Sequence, residues 1–269
     1  MGTETGPRDE LAVTGLRLRL CCRDADLIGP LDLHLRRGRV LGLVGPSGCG
    51  KSLTCRALLG LLPPGVVQRS GRFRMGEEEQ AVPPAAWRGR KLAAVFQNPT
   101  GCFDPVFTVA SHFRETLAAH GQNPASCSDK IHAGLREVGF DDPRGILDHY
   151  PFQLSGGMLQ RVMIALALLL DPPFLLADEP TTDLDLVSQA RVLDLLAELC
   201  RIRNLGILLV THDLSVVARL AHDMAVMHQG RIVERGEVGA VFATAAHPFT
   251  RGLLAAHRRL YAHSTAEVA

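Results

Sequence analysis

The stretch that decides the fold reads Val40-Leu-Gly-Leu-Val-Gly45-Pro-Ser-Gly-Cys-Gly50-Lys51-Ser52. Its first five residues form a continuous apolar run, which is typical of a strand buried on both faces of a sheet. The segment from Gly45 fits the spacing GxxxxGK[ST], and a helical pattern begins at Lys51 and stops at Pro63. A glycine-rich turn between a buried strand and a helix presents N–H groups to an anion. We therefore expect a phosphate-binding loop here.

Each residue type in this loop has a chemical role. Backbone N–H groups cradle the phosphates, the Lys51 ammonium reaches the β- and γ-phosphate oxygens, and the Ser52 hydroxyl can hold Mg²⁺. The alternative is a glycine-rich strand–helix turn in an unrelated α/β protein. The candidate nucleotide-binding residues are Gly45, Pro46, Ser47, Gly48, Cys49, Gly50, Lys51, Ser52 and Leu53.

A second element supports nucleotide chemistry. The run Phe174-Leu-Leu-Ala-Asp178-Glu179 consists of four apolar residues followed by two carboxylates. Such a run predicts a buried strand that delivers acids at its carboxyl end, where ligands bind in open α/β sheets. Asp178 would bind Mg²⁺, and Glu179 would polarise the attacking water for phosphoryl transfer. In isolation, a strand ending in solvated acids would be the simpler interpretation.

The pattern along the chain predicts an α/β fold with a mainly parallel sheet. Alternating leucines near the amino terminus predict antiparallel strands around Leu16–Leu20 and Leu31–Leu35. Residues 98–153 lack a clear buried strand and predict a helical insertion. Further predicted elements are buried strands at Leu92–Phe96, Phe174–Ala177 and Gly206–Val210, a hairpin turning at Gln229-Gly230, and a helical tail from about Ala245.

The composition narrows the class of protein. The chain has 269 residues, of which 46% are hydrophobic, which is enough for one sizeable core with lobes. The formal net charge of +1 offers no basic field, so we expect no nucleic acid partner. No run approaches the roughly 18–20 apolar residues that span a bilayer. Seven cysteines at irregular spacings indicate reduced thiols.

A third element identifies a family. The run Leu154-Ser155-Gly156-Gly157-Met158-Leu159-Gln160-Arg161 resembles the LSGGQ-type signature of ABC ATPases. Gln97 resembles the Q-loop glutamine of that family, the segment Thr182–Asp185 resembles its D-loop, and His212 resembles its switch histidine. Together with the phosphate loop and the acidic strand, these motifs follow the family's order across most of the chain.

The resemblance implies a P-loop ABC ATPase core with an antiparallel β subdomain and a helical subdomain at about 98–160. It implies an ATPase domain over 1–244 and a helical tail over 245–269. ATP and Mg²⁺ would be the cofactors, and Ser155, Gly156, Gly157 and Asp185 would contact ATP held by the opposite subunit of a dimer. The catalytic residues implied are Glu179, His212, Lys51 and Gln97, and the Mg²⁺ ligands are Ser52, Gln97 and Asp178.

Two further segments resemble the oligopeptide, dipeptide and nickel importer group. They are Phe96-Gln97-Asn-Pro99 with Phe103-Asp-Pro105, and His247-Pro-Phe-Thr-Arg251. Within this group the chain is most similar to ATP-binding subunits of nickel importers. That similarity implies a sister ATP-binding subunit, two membrane permease subunits and, indirectly, an external solute-binding protein, with the chain peripheral at the cytoplasmic face of the inner membrane. The alternatives are a peptide importer, a soluble ABC ATPase acting on DNA or translation, and a scaffold without turnover.

Two expectations concern aromatic residues. No Phe, Tyr or Trp precedes Phe73, so the aromatic residue that stacks on adenine in most family members is missing, and Leu20 or nothing covers the base. We therefore expect weak or nucleotide-tolerant binding. Phe103, Pro105 and Phe107, just after Gln97, could dock the membrane partner or could simply belong to the core.

Overall fold

The computed structural model describes the backbone of residues 10–266 and the side chains up to Arg259. Ten strands occur in this range: β1 (Glu10–Leu20), β2 (Asp26–Arg36), β3 (Val40–Val44), β4 (Val66–Met75), β5 (Glu78–Gln80), β6 (Leu92–Val95), β7 (Phe174–Asp178), β8 (Gly206–Thr211), β9 (Asp223–His228) and β10 (Arg231–Glu237). The α-helices of this range are α1 (Lys51–Leu58), α2 (Val109–Ala119), α3 (Ser128–Glu137), α4 (Pro143–Asp148), α5 (Gly156–Ala167), α6 (Leu186–Ile202), α7 (Leu214–Leu220), α8 (Val238–Thr244) and α9 (Pro248–Ala266).

The chain folds into two compact units. The first contains the chain up to Ala85 and from Gly206 onward, and the second contains Ala86–Leu205. In the first unit, an antiparallel sheet has the strand order β2–β1–β4–β5. The predicted alternation is confirmed, because Leu16, Leu18 and Leu31 are buried while Asp32 between the β2 leucines is exposed.

The phosphate-loop strand β3 lies in the middle of a second set of strands in the first unit. It pairs in parallel with β8 and with β9, so that Val44 lies opposite both Thr211 and Val226. Strand β10 pairs antiparallel with β9, which confirms the predicted hairpin at Gln229-Gly230. The loops that follow β3, β8 and β9 therefore leave from the same edge of these strands.

Helix α1 ends earlier than the sequence predicted. It stops at Leu58 rather than continuing to Pro63. Gly60 has a φ of 66°, its N–H donates to the Ala57 carbonyl at 3.0 Å, and the N–H of Leu61 donates to the Arg56 carbonyl at 2.8 Å. These two bonds form a Schellman motif, in which a glycine in the left-handed region ends the helix. The prediction was wrong because it took the later prolines as the stop signal.

The last helix, α9, packs against other elements of the first unit through a small apolar cluster. Leu254 of α9 and Val241 of α8 are buried against Val217 of α7 and Val226 of β9. Burying a side chain of this size contributes about 1.5–3 kcal/mol. The carboxylate of Glu234 in β10 accepts hydrogen bonds from the backbone N–H groups just before α9, at Ala246 (2.6 Å) and His247 (3.1 Å).

The second unit combines a pair of strands with helices. Strands β6 and β7 pair in parallel, with Val95 opposite Ala177. Residues 98–153 hold α2, α3, α4 and short 3₁₀ turns without a strand, which confirms the predicted helical insertion. The Arg203 guanidinium joins several helix ends of this unit, because it contacts Glu137 of α3, Asp171 and the Leu168 carbonyl oxygen.

The domain boundaries expected from the sequence, 1–244 and 245–269, stay a prediction, and they extend into residues 1–9 and 267–269, which the structure does not describe. Within residues 10–266, no helix combines the length and the apolar character needed to cross a bilayer.

Candidate nucleotide-binding site

The phosphate loop connects β3 to α1 and is held by its own lysine. The Lys51 ammonium donates to the carbonyl oxygens of Gly45 (2.8 Å) and Pro46 (3.1 Å), and the side chain is only 5% exposed. Gly48 and Gly50 have φ values of 78° and 111°, which turn the chain between strand and helix at little steric cost. The loop therefore has the left-handed glycines and the cation that phosphate binding requires.

Two glycines of the loop also lie too close to neighbouring atoms to carry a side chain without a shift, Gly45 against backbone and Gly50 against side chains. A β-carbon on Gly45 would overlap the carbonyl oxygen of Met227, and one on Gly50 would lie 3.0 Å from the Met227 methyl group. Between them, Cys49 is buried, and this burial raises the pKa of its thiol although Lys51 lowers it in part. Ser52, the second residue of α1, is exposed, and Leu53 after it is half-buried.

His212 lies at the same edge of the first unit as the phosphate loop. It follows β8 directly, and the last residue of β8, Thr211, pairs with Val44 just before the loop. The side chain of His212 is exposed, while its neighbour Asp213 caps α7 by accepting from the Ser215 N–H at 2.7 Å. The cap fixes the turn, so the imidazole is presented at the edge where ligands bind in α/β sheets.

The acidic pair of the second unit ends β7 as predicted. Asp178 is 9% exposed and Glu179 is half-buried. Glu179 has a φ of 48°, which is uncommon for a residue other than glycine and is sustained only when the surroundings impose it. Its carboxylate accepts a hydrogen bond of 2.9 Å from the Thr182 hydroxyl. This partner was not predicted, although Thr182 lies only three residues after the acid in the sequence.

Gln97 lies at the same end of the β6–β7 pair as the acidic residues Asp178 and Glu179. It follows Val95 by two residues as Glu179 follows Ala177 by two, and Val95 pairs with Ala177. Gln97 is exposed and Asp178 offers a buried carboxylate. Amide, carboxylate and hydroxyl oxygens are the hard donors that Mg²⁺ prefers, so the chemistry of Gln97, Asp178 and Ser52 fits this ion.

The signature segment forms the start of α5. Ser155 caps the helix by accepting from the Met158 N–H at 3.3 Å, and it is exposed together with Gly156. A β-carbon on Gly157 would lie 2.7 Å from the Ser188 hydroxyl oxygen, so α6 can approach only a glycine here. The exposed helix start offers N–H groups and a positive dipole end to an anion from another molecule.

Asp185 has a role that the sequence analysis did not foresee. Its carboxylate caps α6 by accepting from the N–H groups of Val187 (3.0 Å) and Ser188 (2.9 Å). Hydrogen bonds from the hydroxyl and N–H of Ser188 lower its pKa. Leu186 and Val187 beside it are 83% and 60% exposed, so this segment ends in an apolar surface.

The segment after Gln97 divides into core and surface. Phe103 is 5% exposed and its ring meets that of His112 edge-on at 5.0 Å, so it belongs to the core. Val106 is 69% exposed and Phe107 is 43% exposed, and Pro105 is exposed as well. Of the three residues suggested for docking, Pro105 and Phe107 remain available.

Comparison with known proteins agrees with these motifs. A sequence model described as ABC transporter matches residues 28–182. The chain is 51% identical to the nickel import ATP-binding protein NikD of Brucella suis over 94% of this chain and 97% of that protein. It is 52% identical to NikD of Rhodospirillum rubrum, with the same coverage, and 48% identical to NikD of Pseudomonas putida over 93% and 96%.

Solved structures agree on the fold. The ATP-binding subunit of an ABC transporter matches with a TM-score of 0.71 and 27% identity, over 87% of this chain and 92% of that one. The cbiO1 protein of Clostridium perfringens, part of the ABC transporter complex cbiONQ, matches with a TM-score of 0.73 over 87% and 91%, and its 24% identity supports the fold alone. With a family match over more than half of its length and relatives at about half identity across nearly all of it, the chain belongs to the ABC transporter family, as an ATP-binding subunit with a P-loop ABC ATPase fold.

Proposed function

We propose that this chain is the ATP-hydrolysing motor subunit of a membrane importer for nickel. The observation that carries the proposal is the phosphate loop itself, in which the buried Lys51 lies across the carbonyl groups of Gly45 and Pro46. The proposal that the cargo is nickel rests on the relatives named as nickel import ATP-binding proteins, because their similarity extends over almost the whole chain.

Each of the two units would contribute residues to ATP binding and hydrolysis. Lys51 would leave the carbonyl oxygens of its own loop and bind the β- and γ-phosphate oxygens of ATP, joined by the N–H groups of residues 45–53. Glu179 would accept a proton from the attacking water, with Thr182 orienting its carboxylate. His212 would donate to the γ-phosphate as charge develops, and Gln97 would help to order the water.

Ser52, Gln97 and Asp178 are the residues that would hold Mg²⁺. When bound, this ion neutralises charge on the β- and γ-phosphates and helps to orient the γ-phosphate for in-line attack. The low exposure of Asp178 keeps competing water from its carboxylate.

ATP would also join two subunits. The start of α5, with exposed Ser155 and Gly156 and half-buried Gly157, would close over ATP held by the opposite subunit, together with Asp185 at the start of α6. Closure is driven by ATP because the closed dimer binds it better than the open dimer does, and hydrolysis removes that difference. Leu186 and Val187 are exposed in this segment and would be covered in the dimer.

The remaining assignments follow from the importer role. A sister ATP-binding subunit would complete the dimer, two membrane permease subunits would receive the motion, and an external solute-binding protein would deliver the cargo. The chain would act peripherally at the cytoplasmic face of the inner membrane. Pro105, Val106 and Phe107 form an exposed apolar surface, here called the docking surface, suited to a permease segment. The ATPase domain would span 1–244, followed by a tail of 245–269.

The test is uptake of radioactive nickel beside a labelled dipeptide in cells that lack this subunit. Complementation uses the wild type, Lys51→Ala and, as a matched control, Lys91→Ala, whose ammonium lies over the Trp87 ring at 5.8 Å. We expect nickel uptake to be lost without the subunit and restored by the wild type and Lys91→Ala only. Loss of dipeptide uptake instead would keep the motor and reject nickel, and no change in either would reject the importer role.

A further inference from the structure

The turn between β9 and β10 touches the phosphate loop directly. Gln229 and Gly230 have φ values of 47° and 76°, as the two central residues of a type I′ turn require. The Gly230 N–H donates to the carbonyl oxygen of Cys49 at 3.1 Å, and its own carbonyl accepts from the Gly29 N–H at 2.9 Å. The turn is therefore fixed between β2 and the phosphate loop.

This contact determines how the loop presents its donors. A trans peptide is planar, so its carbonyl and its N–H point in opposite directions. With the Cys49 carbonyl held toward Gly230, the N–H of Gly50 must face away from the hairpin. Outward-turned N–H groups of this loop are the donors that cradle phosphate. Rotation of the peptide between Cys49 and Gly50 would remove one of them.

Gly230 cannot be replaced without moving these elements. It is buried, and a β-carbon on it would overlap the carbonyl oxygen of Leu27 in β2. On the other side, the Met227 carbonyl excludes a β-carbon at Gly45. The backbones of the hairpin, β2 and the phosphate loop thus meet at van der Waals distance, and interiors packed in this way transmit displacements.

The C-terminal helix holds the same turn through one aromatic contact. His228, immediately before the turn, stacks on Phe249 of α9 with ring centroids 3.9 Å apart and planes 21° apart. The N–H of Phe249 donates to the His247 ring at 3.2 Å, which fixes the start of α9. The His228 Nδ1 atom is buried without a hydrogen-bond partner, so no hydrogen bond at this atom holds the ring that stacks on Phe249.

We propose that His228, Gly230 and Phe249 are positioning residues for ATP binding: the turn sets the orientation of the Cys49–Gly50 peptide, and docking of α9 holds the turn. The inference rests on the proposed function, since it requires that the loop binds ATP. None of the three is assigned to contact the nucleotide. Their effect should appear in the affinity for ATP and leave the chemical step unchanged.

The experiment measures ATP binding and ATP hydrolysis by the full chain in Phe249→Ala and Phe249→Tyr. Phe242→Ala is the matched control, because Phe242 packs on the same cluster at the α9 junction but stacks on no part of the hairpin. We expect Phe249→Ala to weaken ATP binding and raise KM by about three- to tenfold, with kcat within about twofold of the wild type. Phe249→Tyr, which keeps the ring, should restore KM.

A purely structural role gives a different result. In that case Phe249→Ala and Phe242→Ala would lower the melting temperature alike and leave KM equal to that of the wild type, which overturns the inference. Gly230→Ala gives a second arm, with a larger rise in KM expected, and Phe249→Ala carries the test if that variant does not fold. If the wild type itself fails to bind ATP, the proposed function fails. If the wild type binds ATP and Lys51→Ala does not, the proposed function stands. In that case, a KM for Phe249→Ala equal to that of the wild type rejects only the inference about the turn.

Discussion

The Thr182 hydroxyl donates a hydrogen bond of 2.9 Å to the carboxylate of Glu179, across a turn in which Glu179 has a φ of 48°. The backbone strain and the hydrogen bond together fix where the carboxylate points. A general base must lie within hydrogen-bonding reach of the water that it activates, so this orientation matters for the rate.

Thr182→Val should lower kcat about tenfold and leave KM for ATP unchanged. A hydrogen bond to a charged group contributes about 1.5–3 kcal/mol, and without it the carboxylate samples other rotamers. Thr182→Ser keeps the hydroxyl and should retain most of the rate. Steady-state ATPase measurements on both variants decide the point, and equal kcat values for Thr182→Val and the wild type would contradict it.

Glu179→Gln should bind ATP normally and lower kcat by about 100-fold or more, since an amide cannot accept the proton of the attacking water. The control is Glu198→Gln, an exposed position on α6, which should behave as the wild type does. Equilibrium ATP binding and single-turnover hydrolysis separate the two effects. Turnover of Glu179→Gln near the wild-type rate would require another general base.

Phe103 and Phe107 should respond differently to replacement by alanine. Phe103→Ala opens a cavity in the core of the second unit and should reduce the free energy of unfolding by about 3–5 kcal/mol. Phe107→Ala on the docking surface should leave stability and ATPase activity nearly unchanged but reduce uptake by the assembled transporter. Val82→Ala, an apolar position 57% exposed in the first unit, is the control. Full uptake with Phe107→Ala would exclude this surface as the permease contact.

The contact between Glu234 and the start of α9 should depend on pH. Burial acts to raise the pKa of Glu234, but hydrogen bonds to its carboxylate, including those from the Ala246 and His247 N–H groups, lower it below the ordinary value of 4.5. A carboxylate with a lowered pKa stabilises the fold above its unfolded-state pKa, and this contribution disappears as pH falls through the folded-state pKa. At pH 7, Glu234→Gln should therefore melt below the wild type, whereas the difference should close in acid.

The pH test compares melting temperatures from pH 7 down to about pH 3. Glu198→Gln, at an exposed position on α6, serves again as the control. A difference between Glu234→Gln and the wild type that stays constant across this range would show that the carboxylate does not titrate with folding.

Nucleotide selectivity should be weak. No aromatic residue precedes Phe73, and Leu20 at the end of β1 is half-buried. Stacking of a base on an aromatic ring contributes about 1–3 kcal/mol in nucleic-acid complexes, so its loss should reduce discrimination between bases. In a competition experiment, the concentration of GTP that displaces half of the bound ATP should lie within about tenfold of the concentration of unlabelled ATP that does so. Strong exclusion of GTP would contradict the expectation.

The sequence predicted the parts of the site that have local causes. The apolar run Val40–Val44 and the glycines after it produce β3 and the phosphate loop at the predicted positions, because burial and positive φ act within a few residues. The acidic end of β7 follows for the same reason. The roles proposed for these residues in catalysis remain predictions.

Other features depend on contacts that leave no local pattern. Phe103 and Phe107 both meet the His112 ring edge-on, with centroids 5.0 and 6.4 Å away, yet only Phe103 is buried in the core. Asp185 was expected to contact nucleotide, and the structure shows it capping α6, which does not test the first role. The contact between Gly230 and Cys49 joins residues far apart in the chain and could not be predicted from either segment.

The burial of Cys49 has a practical consequence for labelling the protein. Thiol-reactive dyes attack the thiolate, and the raised pKa of Cys49 keeps this group protonated at neutral pH. Cys21 and Cys22 are exposed in the turn after β1. A maleimide reagent at neutral pH should therefore react with exposed thiols, which include Cys102 as well as this pair, before it reaches Cys49, and so leave the phosphate loop unmodified.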